Sequence, residues 1–463
     1  MANTYITKTP SSTTNQRTWT VSCWVKRSLI TSTQMIWGVN GDSSGNYFTE
    51  LNFNSGDQLE FRQGGTVGDP YQTQMLTNAR YRDTNGWYHI VVAADTTQGT
   101  EANRLKIYVN GEQITSFAIS NYPSQNEQFR WHYTGYAHSI GRSGQDNARY
   151  FNGSISHFHN IDGTQYQASD FGETDSTTGE WKIKTAPSLT YGSFGTFILK
   201  DGNSVTDQSG RGNNWTVGGG TLTKTEDCPS NVFATINPLW KHNVSSQNNV
   251  VLVQGNTTWY PSSATNNHSW GRSTLGWTSG KYYFEFKIEE VNTGQASGVW
   301  MVPVEYPSNS SPQSGSNINY GWQVQYSSSD ANFYTTNGGS SVSTITSSLG
   351  ANPIIMMAID ADNKKMWVGH NGTWWNNNNA STTLNNSYPD HTWTIGTYGD
   401  MYQLAFQAYY SSSNYNNARA NFGNGYFGTT AVSSAGTNAS NNGIFEYDVP
   451  SGFTALSTKG LNL

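Results

Sequence analysis

Residues 354–375 read IIMMAIDADNKKMWVGHNGTWW, and their apolar positions fall on both parities of an extended chain. Ile354, Met356 and Ala358 share one face; Ile355, Met357 and Ile359 share the other. Asp362-Asn363-Lys364 and then Asn371-Gly372 break the run with turn chemistry. The spacing predicts a strand buried on both faces, a polar turn and a second hairpin. The first half carries a unit of the same kind. Residues 87–95 (WYHIVVAAD) form an apolar strand ending in a carboxylate. A polar connection leads to NRLKIYVNG, where Leu105, Ile107 and Val109 share a face ahead of Asn110-Gly111. The same order at nearly the same offset predicts two sandwiches of related construction. The simpler alternative is that any antiparallel protein contains such hairpins. No helical stripe longer than two turns is visible, so the expected fold class is all-β, two tandem antiparallel β-sandwiches.

The join is expected near residues 225–250, where TEDCPSNVFATINPLWKHNVSSQNN mixes Pro229 and Pro238 with polar residues. Val232, Phe233 and Ile236 should tack this segment against a domain face, and residues 243–249 are the expected flexible point. The resulting division is 1–240, a sandwich with its C-terminal connector, and 241–463, a second sandwich.

Composition sharpens this picture. Of 463 residues only 12% are charged, 14% are aromatic and 47 are glycine, against a typical charged share of about 25%. Solubility therefore rests on Asn, Ser, Thr and Gly. A net charge of −6 with 25 Lys plus Arg argues against a nucleic-acid partner, which needs a clustered basic face. No apolar run approaches the ~18 residues of a membrane span, and MANTYITKTPSS has no apolar core of a secretory signal. Cys23 alternates with Trp19, Val21 and Val25 and should face a core; Cys228 precedes Pro229. Two reduced thiols are the expected state, with a bridge between them the alternative.

Specific stretches resemble a family. YITKTPSSTTNQRTWTVSCWVKR, WYHIVVAADTTQGTEANRLKIYVNGEQI and ISHFHNIDGTQYQASDFGETDSTTGEWKIK resemble the laminin-G/concanavalin-A-like lectin domain of marine bacteriophage structural proteins. LKDGNSVTDQSGRGNNWTV and CPSNVFATINPLW are similar to the connector that follows it. GKYYFEFKIEE, MMAIDADNKKMWVGHNGTWW, ARANFGNGYF and YDVPSGFTALSTKGLNL resemble the SPRY-like domain of those proteins. The resemblance covers nearly the whole chain in order. It implies jelly-roll, concanavalin-A-like sandwiches and a virion protein, made in the cytoplasm and released by lysis, which reconciles a particle-surface composition with the missing export signal. Because the lectin-like part begins near the N-terminus, it also implies attachment through a sandwich surface or a short tail.

The candidate chemistry is sparse. Glucanases of this fold cluster acids on one strand, but the nearest run here is Glu285-Phe-Lys-Ile-Glu289-Glu290. At ~3.3 Å per residue Glu285 and Glu289 lie about 13 Å apart, beyond the ~5–9.5 Å of a catalytic pair. They share parity with Tyr283 and read as a solvated strand face. His157-Phe158-His159 places two imidazoles on one face without a third ligand, so cross-strand packing is favoured over a metal site. No nucleophile elbow or phosphate loop is present. For an ion, calcium is the better candidate: Asp201, Asn203 and Asp207 lie on a Gly-rich loop, and lectin sandwiches often hold calcium near loops. Gly212 stands where an EF-hand needs Glu, and an Asx-turn network is the favoured reading. For ligand binding the candidates are Trp259 and Tyr260, Trp374 and Trp375 ahead of four asparagines, and Tyr409, Tyr410 and Tyr415, since flat rings among amides and hydroxyls suit sugars. Adjacent strand residues point oppositely, so one of Trp374 and Trp375 should be core.

These readings lead to a non-enzymatic phage virion surface or appendage protein, tail-fibre-like, that mediates host attachment through a glycan or protein receptor. A head or tail decoration protein without a ligand is the alternative, and a depolymerase a distant third. Expected partners are other virion proteins and further copies of the chain, by analogy a homotrimer. No nucleic acid and no membrane insertion are expected.

Overall fold

The structure, a computed structural model, describes residues 3–40, 47–64, 72–144, 146–184, 186–200, 204–242, 248–261, 268–289, 296–310, 319–326, 331–337, 340–346, 349–350, 352–409 and 417–462. No α-helix occurs among them, and the fold is all-β, as the alternation predicts. The chain divides into two compact units, Met1–Lys224 with Cys228–Ser230 and Thr225–Asp227 with Asn231–Leu463. Connector residues after 230 therefore group with the second sandwich rather than with the first through residue 240. The reason is apolar: Phe233 and Ile236 are buried at 1% and 0% exposure in that sandwich's own clusters. Residues 243–247 of the expected flexible point lie outside the described residues.

In the first unit an eight-stranded antiparallel sheet runs in the order Phe117–Asn121, Thr73–Arg80, Gln58–Gln63, Phe48–Phe53, Gln34–Asn40, His138–Ile140, Tyr5–Lys8, Thr216–Gly219. It faces a six-stranded sheet ordered Thr196–Ile198, Gly153–Asp162, Thr18–Arg27, Tyr88–Asp95, Leu105–Val109, Glu112–Gln113. Trp19, Val21, Cys23 and Val25 meet Trp37, Leu51, Phe61 and Met75 in the core between them. Cys23 is fully buried and Cys228 half-buried; both are free, and burial pushes the Cys23 thiol up. The expected hairpin pairs Tyr88–Asp95 with Leu105–Val109. The turn that follows, from Leu105–Val109 into Glu112–Gln113, places Asn110 and Gly111 at φ 49° and 88°, a left-handed pair that Asn and Gly adopt at least cost.

The second unit repeats the scheme. A seven-stranded sheet runs Asn248–Asn249, His268–Trp277, Tyr402–Tyr409, Ala296–Pro303, Tyr320–Tyr326, Ala331–Asn337, Ser340–Thr346. Against it lies a sheet whose path is Val251–Val253, Thr258–Tyr260, Asn417–Asn421, Lys281–Glu289, Ile354–Asp360, Lys365–His370, Thr373–Trp374. Ile354–Asp360 is buried on both faces, as its double-parity pattern predicts. Ile355, Met357 and Ile359 fill the core between the sheets. Met356 and Ala358 join Tyr283, Trp367, Trp374, Phe445 and Phe453 on the far side. Asn371 and Gly372 repeat the left-handed turn at φ 47° and 83°.

The same parity reasoning fails at Glu285. It does not lie on a solvated face but is fully buried, because Phe445, Val449 and Phe453 cover that side of the sheet. Its carboxylate accepts the N–H groups of Glu446 and Tyr447 at 2.8 Å each, the Tyr283 hydroxyl at 2.9 Å and Asn421 Nδ2 at 3.3 Å. Glu289 is half-buried and paired with Arg419 at 2.6 Å. Alternation reports one strand's faces; it cannot report a covering segment from far along the chain.

Candidate functional site

Core packing fixes the first site. In Phe48–Phe53, Leu51 and Phe53 point inward, so Phe48, Glu50 and Asn52 face outward. In Gln58–Gln63, Leu59 and Phe61 point inward and Glu60 and Arg62 outward. Antiparallel register then sets Ser139, Gly38, Glu50, Arg62 and Gln74 in one row across five strands. Glu50 is fully buried although it lies on the outer face. Arg62 donates to Glu50 Oε2 from Nη2 at 3.0 Å and Nε at 3.3 Å. The Ser143 hydroxyl donates to Oε1 at 2.6 Å and accepts from Arg149 Nη2 at 2.8 Å. Arg149 stands 3.8 Å from Glu50 and 2.8 Å from the more exposed Asp146. Beside them Gln74 Nε2 donates to Glu60 at 2.7 Å. Gly38 is required here, because a Cβ would stand 2.9 Å from Glu50 Cγ.

The arrangement is a charged cradle: a buried carboxylate fixes two guanidinium groups and a hydroxyl. A guanidinium held in one orientation is prepared for planar, bidentate recognition of acidic or hydroxyl-rich groups. Two more acceptors on this face, Asn52 Oδ1 and Ser139 Oγ, are buried without a partner among the described residues. Both oxygens of Glu50 are occupied by donors, so it presents neither a free acid nor a free nucleophile.

A second constellation resembles a catalytic dyad and is not one. Ser22 Oγ lies 2.9 Å from His89 Nε2, both fully buried. Trp181 Nε1, which can only donate, bonds His89 Nδ1 at 3.0 Å. Nδ1 must therefore accept, the proton sits on Nε2, and His89 donates to the serine instead of activating it. Burial pushes the His89 pKa down to about 3, which keeps the ring neutral. The two imidazoles of the 157–159 run are likewise engaged, His157 with Ser156 Oγ and His159 Nδ1 with the Tyr191 hydroxyl, each at 2.8 Å. No group of three metal-ligating side chains gathers among the described residues.

The residues nominated from sequence do not converge. Trp259 is fully buried; its Nε1 donates to Gln407 O at 3.0 Å and its ring packs on Phe406, so it holds the core and offers no face to a ligand. Tyr260 is half-buried on the same strand. Trp374 is the core member of its pair, 6.1 Å from Tyr283, and Trp375 is half-buried. Tyr409 is half-buried on the seven-stranded sheet, its ring 4.7 Å from His268. Tyr410 and Tyr415 lie outside the described residues, as do Asp201 and Asn203 of the calcium candidate. Asp207 accepts from the N–H groups of Phe197 at 2.8 Å, Ser209 at 2.9 Å and Asn213 at 2.8 Å, and from Ser209 Oγ at 2.8 Å. That is an Asx-turn network with every bond made to a donor.

The cradle escaped sequence inspection. Its signal was present in FTELNF and QLEFRQ, where acids and Arg62 alternate with core residues. Ser143 and Arg149 arrive from a distant segment that no local pattern announces.

A model of the concanavalin A-like lectin/glucanases superfamily matches residues 1–169. The first sandwich has a laminin G, concanavalin A-like lectin fold. Folds of this kind serve generally as binding modules, although fold alone does not fix function. No curated protein sequence matches the chain. Among solved structures, mouse laminin α1 domains LG4-5 align with 90% of this chain and 84% of their own at 9% identity and a TM-score of 0.27. The PSpry domain of TRIM65 aligns over 41% and 91% at 10% identity and 0.25. The Ruminococcus gnavus IT-sialidase CBM40 bound to α2,3-sialyllactose aligns over 32% and 87% at 18% identity and 0.25.

Proposed function

We propose that this protein is a non-enzymatic attachment protein on the surface or an appendage of a phage virion, binding a host-surface glycan or protein through the outer face of its first sandwich. The observation that carries the binding reading is the Glu50 cradle, in which Arg62 and Arg149 are held by a buried carboxylate rather than left to solvent. The virion reading is supported by the resemblance of ordered segments along the chain to marine phage structural proteins. Oligomerisation as a trimer and assembly with other virion proteins follow from the same resemblance.

Adsorption competition tests the proposal. Purified full-length protein should reduce phage adsorption to host cells, and an Arg62→Met, Arg149→Met double variant should compete at least ten-fold less well. A protein that does not compete, and that antibody-labelled electron microscopy finds on the capsid away from the tail, is a decoration protein instead.

A further inference from the structure

The seven-stranded sheet of the second sandwich carries its own outer face. Val299, Met301, Trp322, Leu404 and Phe406 point into the core. The alternate residues Gly298, Trp300, Gln323, Ala405 and Gln407 therefore point away from it. Register aligns Trp270, Gln407, Gly298 and Gln323 in one row, with His268 and Tyr409 paired in the next.

Gln407 is fully buried on Tyr402–Tyr409, an interior strand of the sheet, and works as a hub. Gln323 Nε2 donates to its Oε1 at 3.4 Å, and its own Nε2 donates to His268 Nδ1. A Cβ at Gly298, between them in the row, would lie 2.6 Å from the Trp300 ring, so glycine leaves room for that ring beside the amides. The relay fixes the imidazole tautomer. With Nδ1 accepting, the His268 proton sits on Nε2 as a donor, and burial lowers the ring's pKa. The Tyr409 ring packs 4.7 Å from His268 at 38°. Gln323, His268 and Tyr409 are each half-buried, with accessible surface remaining.

We infer that this face is a second carbohydrate site, specific for a neutral sugar. None of the groups named on this face among the described residues is charged. An imidazole N–H and the Gln323 amide offer donor and acceptor pairs matched to vicinal hydroxyls, and Tyr409 offers a ring edge or face to sugar C–H groups. A buried amide holds the donors in place, so the ligand meets preset rather than mobile partners. A charged ligand gains nothing here, whereas the cradle of the first sandwich is built for polar or acidic groups. The inference rests on reading the protein as a binding protein, but uses a different sandwich and a different ligand class.

An oligosaccharide array carrying neutral and acidic glycans, probed with the full chain at 0.05 and 0.5 M salt, tests it. Wild-type protein should bind neutral glycans with little salt dependence, since only charged contacts are screened. Tyr409→Ala should weaken that binding about two- to twelve-fold, the value of one aromatic contact. His268→Ala with Gln323→Ala should abolish it, while binding through Arg62 and Arg149 persists. Gln323→Glu keeps the side chain's size but loses its N–H donor and should also weaken neutral binding, which separates the amide's hydrogen bonds from lost packing. Absence of neutral-glycan binding by the wild type, or its survival in the double variant, overturns the inference. Loss of the Arg62- and Arg149-dependent binding alone overturns the first-sandwich reading and leaves this one standing.

Discussion

Two glutamates lie on sheet faces turned away from the cores, and both are fully buried. Glu50 in the first sandwich has guanidinium partners and stands at the base of a ladder leading to half-exposed and exposed groups. Glu285 in the second has only neutral donors among the described residues and lies under an apolar cover of Phe445, Val449 and Phe453. Without a cation, burial dominates, and the Glu285 pKa is pushed up to about 7. The difference separates two uses of a buried acid. One organises charge toward the surface, where a ligand can use it; the other fastens a segment of its own chain.

The largest effects should come from breaking these anchors. Arg62→Met leaves Glu50 short of its nearest cation and should destabilise the first sandwich by about 3–5 kcal/mol, as removing one member of a buried pair does. Trp374→Ala opens the apolar cover and should cost the second sandwich about 3–5 kcal/mol, whereas half-buried Trp375→Ala should cost well under half of that. Chemical denaturation read by hydrogen exchange in peptides of each sandwich measures both. An equal cost for the two tryptophans would contradict their assignment to core and surface.

Acidification sharpens the comparison. In the first sandwich, burial lowers His89 and His138 to about 3 and His159 well below its ordinary value. The unfolded chain takes up those protons near pH 6.5, so this stability is present above that pH and is lost as pH falls. Glu127, raised by burial, offsets part of it. In the second sandwich, Glu285 and Asp390 are raised to about 7. Their contribution is present below the unfolded carboxylate range near 4 and lost as pH rises through 7. It opposes the half-buried His268 and His370 and the buried His391, all lowered. From pH 7.5 to 5.5 the three histidines should cost the first sandwich up to about 4 kcal/mol, less what Glu127 returns, and the second sandwich should lose less. Glu285→Gln should remove part of the compensation and bring the acid lability of the second sandwich closer to that of the first in hydrogen exchange. The smallest effect belongs to Arg149→Ala: at a partly exposed position it should cost about 1 kcal/mol or less while clearly weakening ligand binding.

How far the sequence was legible varies with the range of the contact. The hairpins at Asn110-Gly111 and Asn371-Gly372, the double burial of Ile354–Asp360 and the inward face of Cys23 all follow from two-residue periodicity and turn chemistry, which act between near neighbours. Aromatic candidates fared differently. Trp259 and Trp374 carry the same local signature as surface rings among polar residues, yet Phe406 and Tyr283 close over them. The amide relay was invisible because Gln323, Gln407 and His268 come from three strands far apart in the chain.

The sequence by itself determined the class of structure, because strand faces and left-handed turns are settled within a few residues. It also determined a surface of amides and hydroxyls, through composition alone. The tertiary structure decided which outward-facing residues reach solvent, since that depends on segments arriving from elsewhere. It decided that Glu50 gathers two arginines while Glu285 is sealed beneath Phe445 and Phe453, because charge pairing and coverage are fixed only when distant strands meet in register.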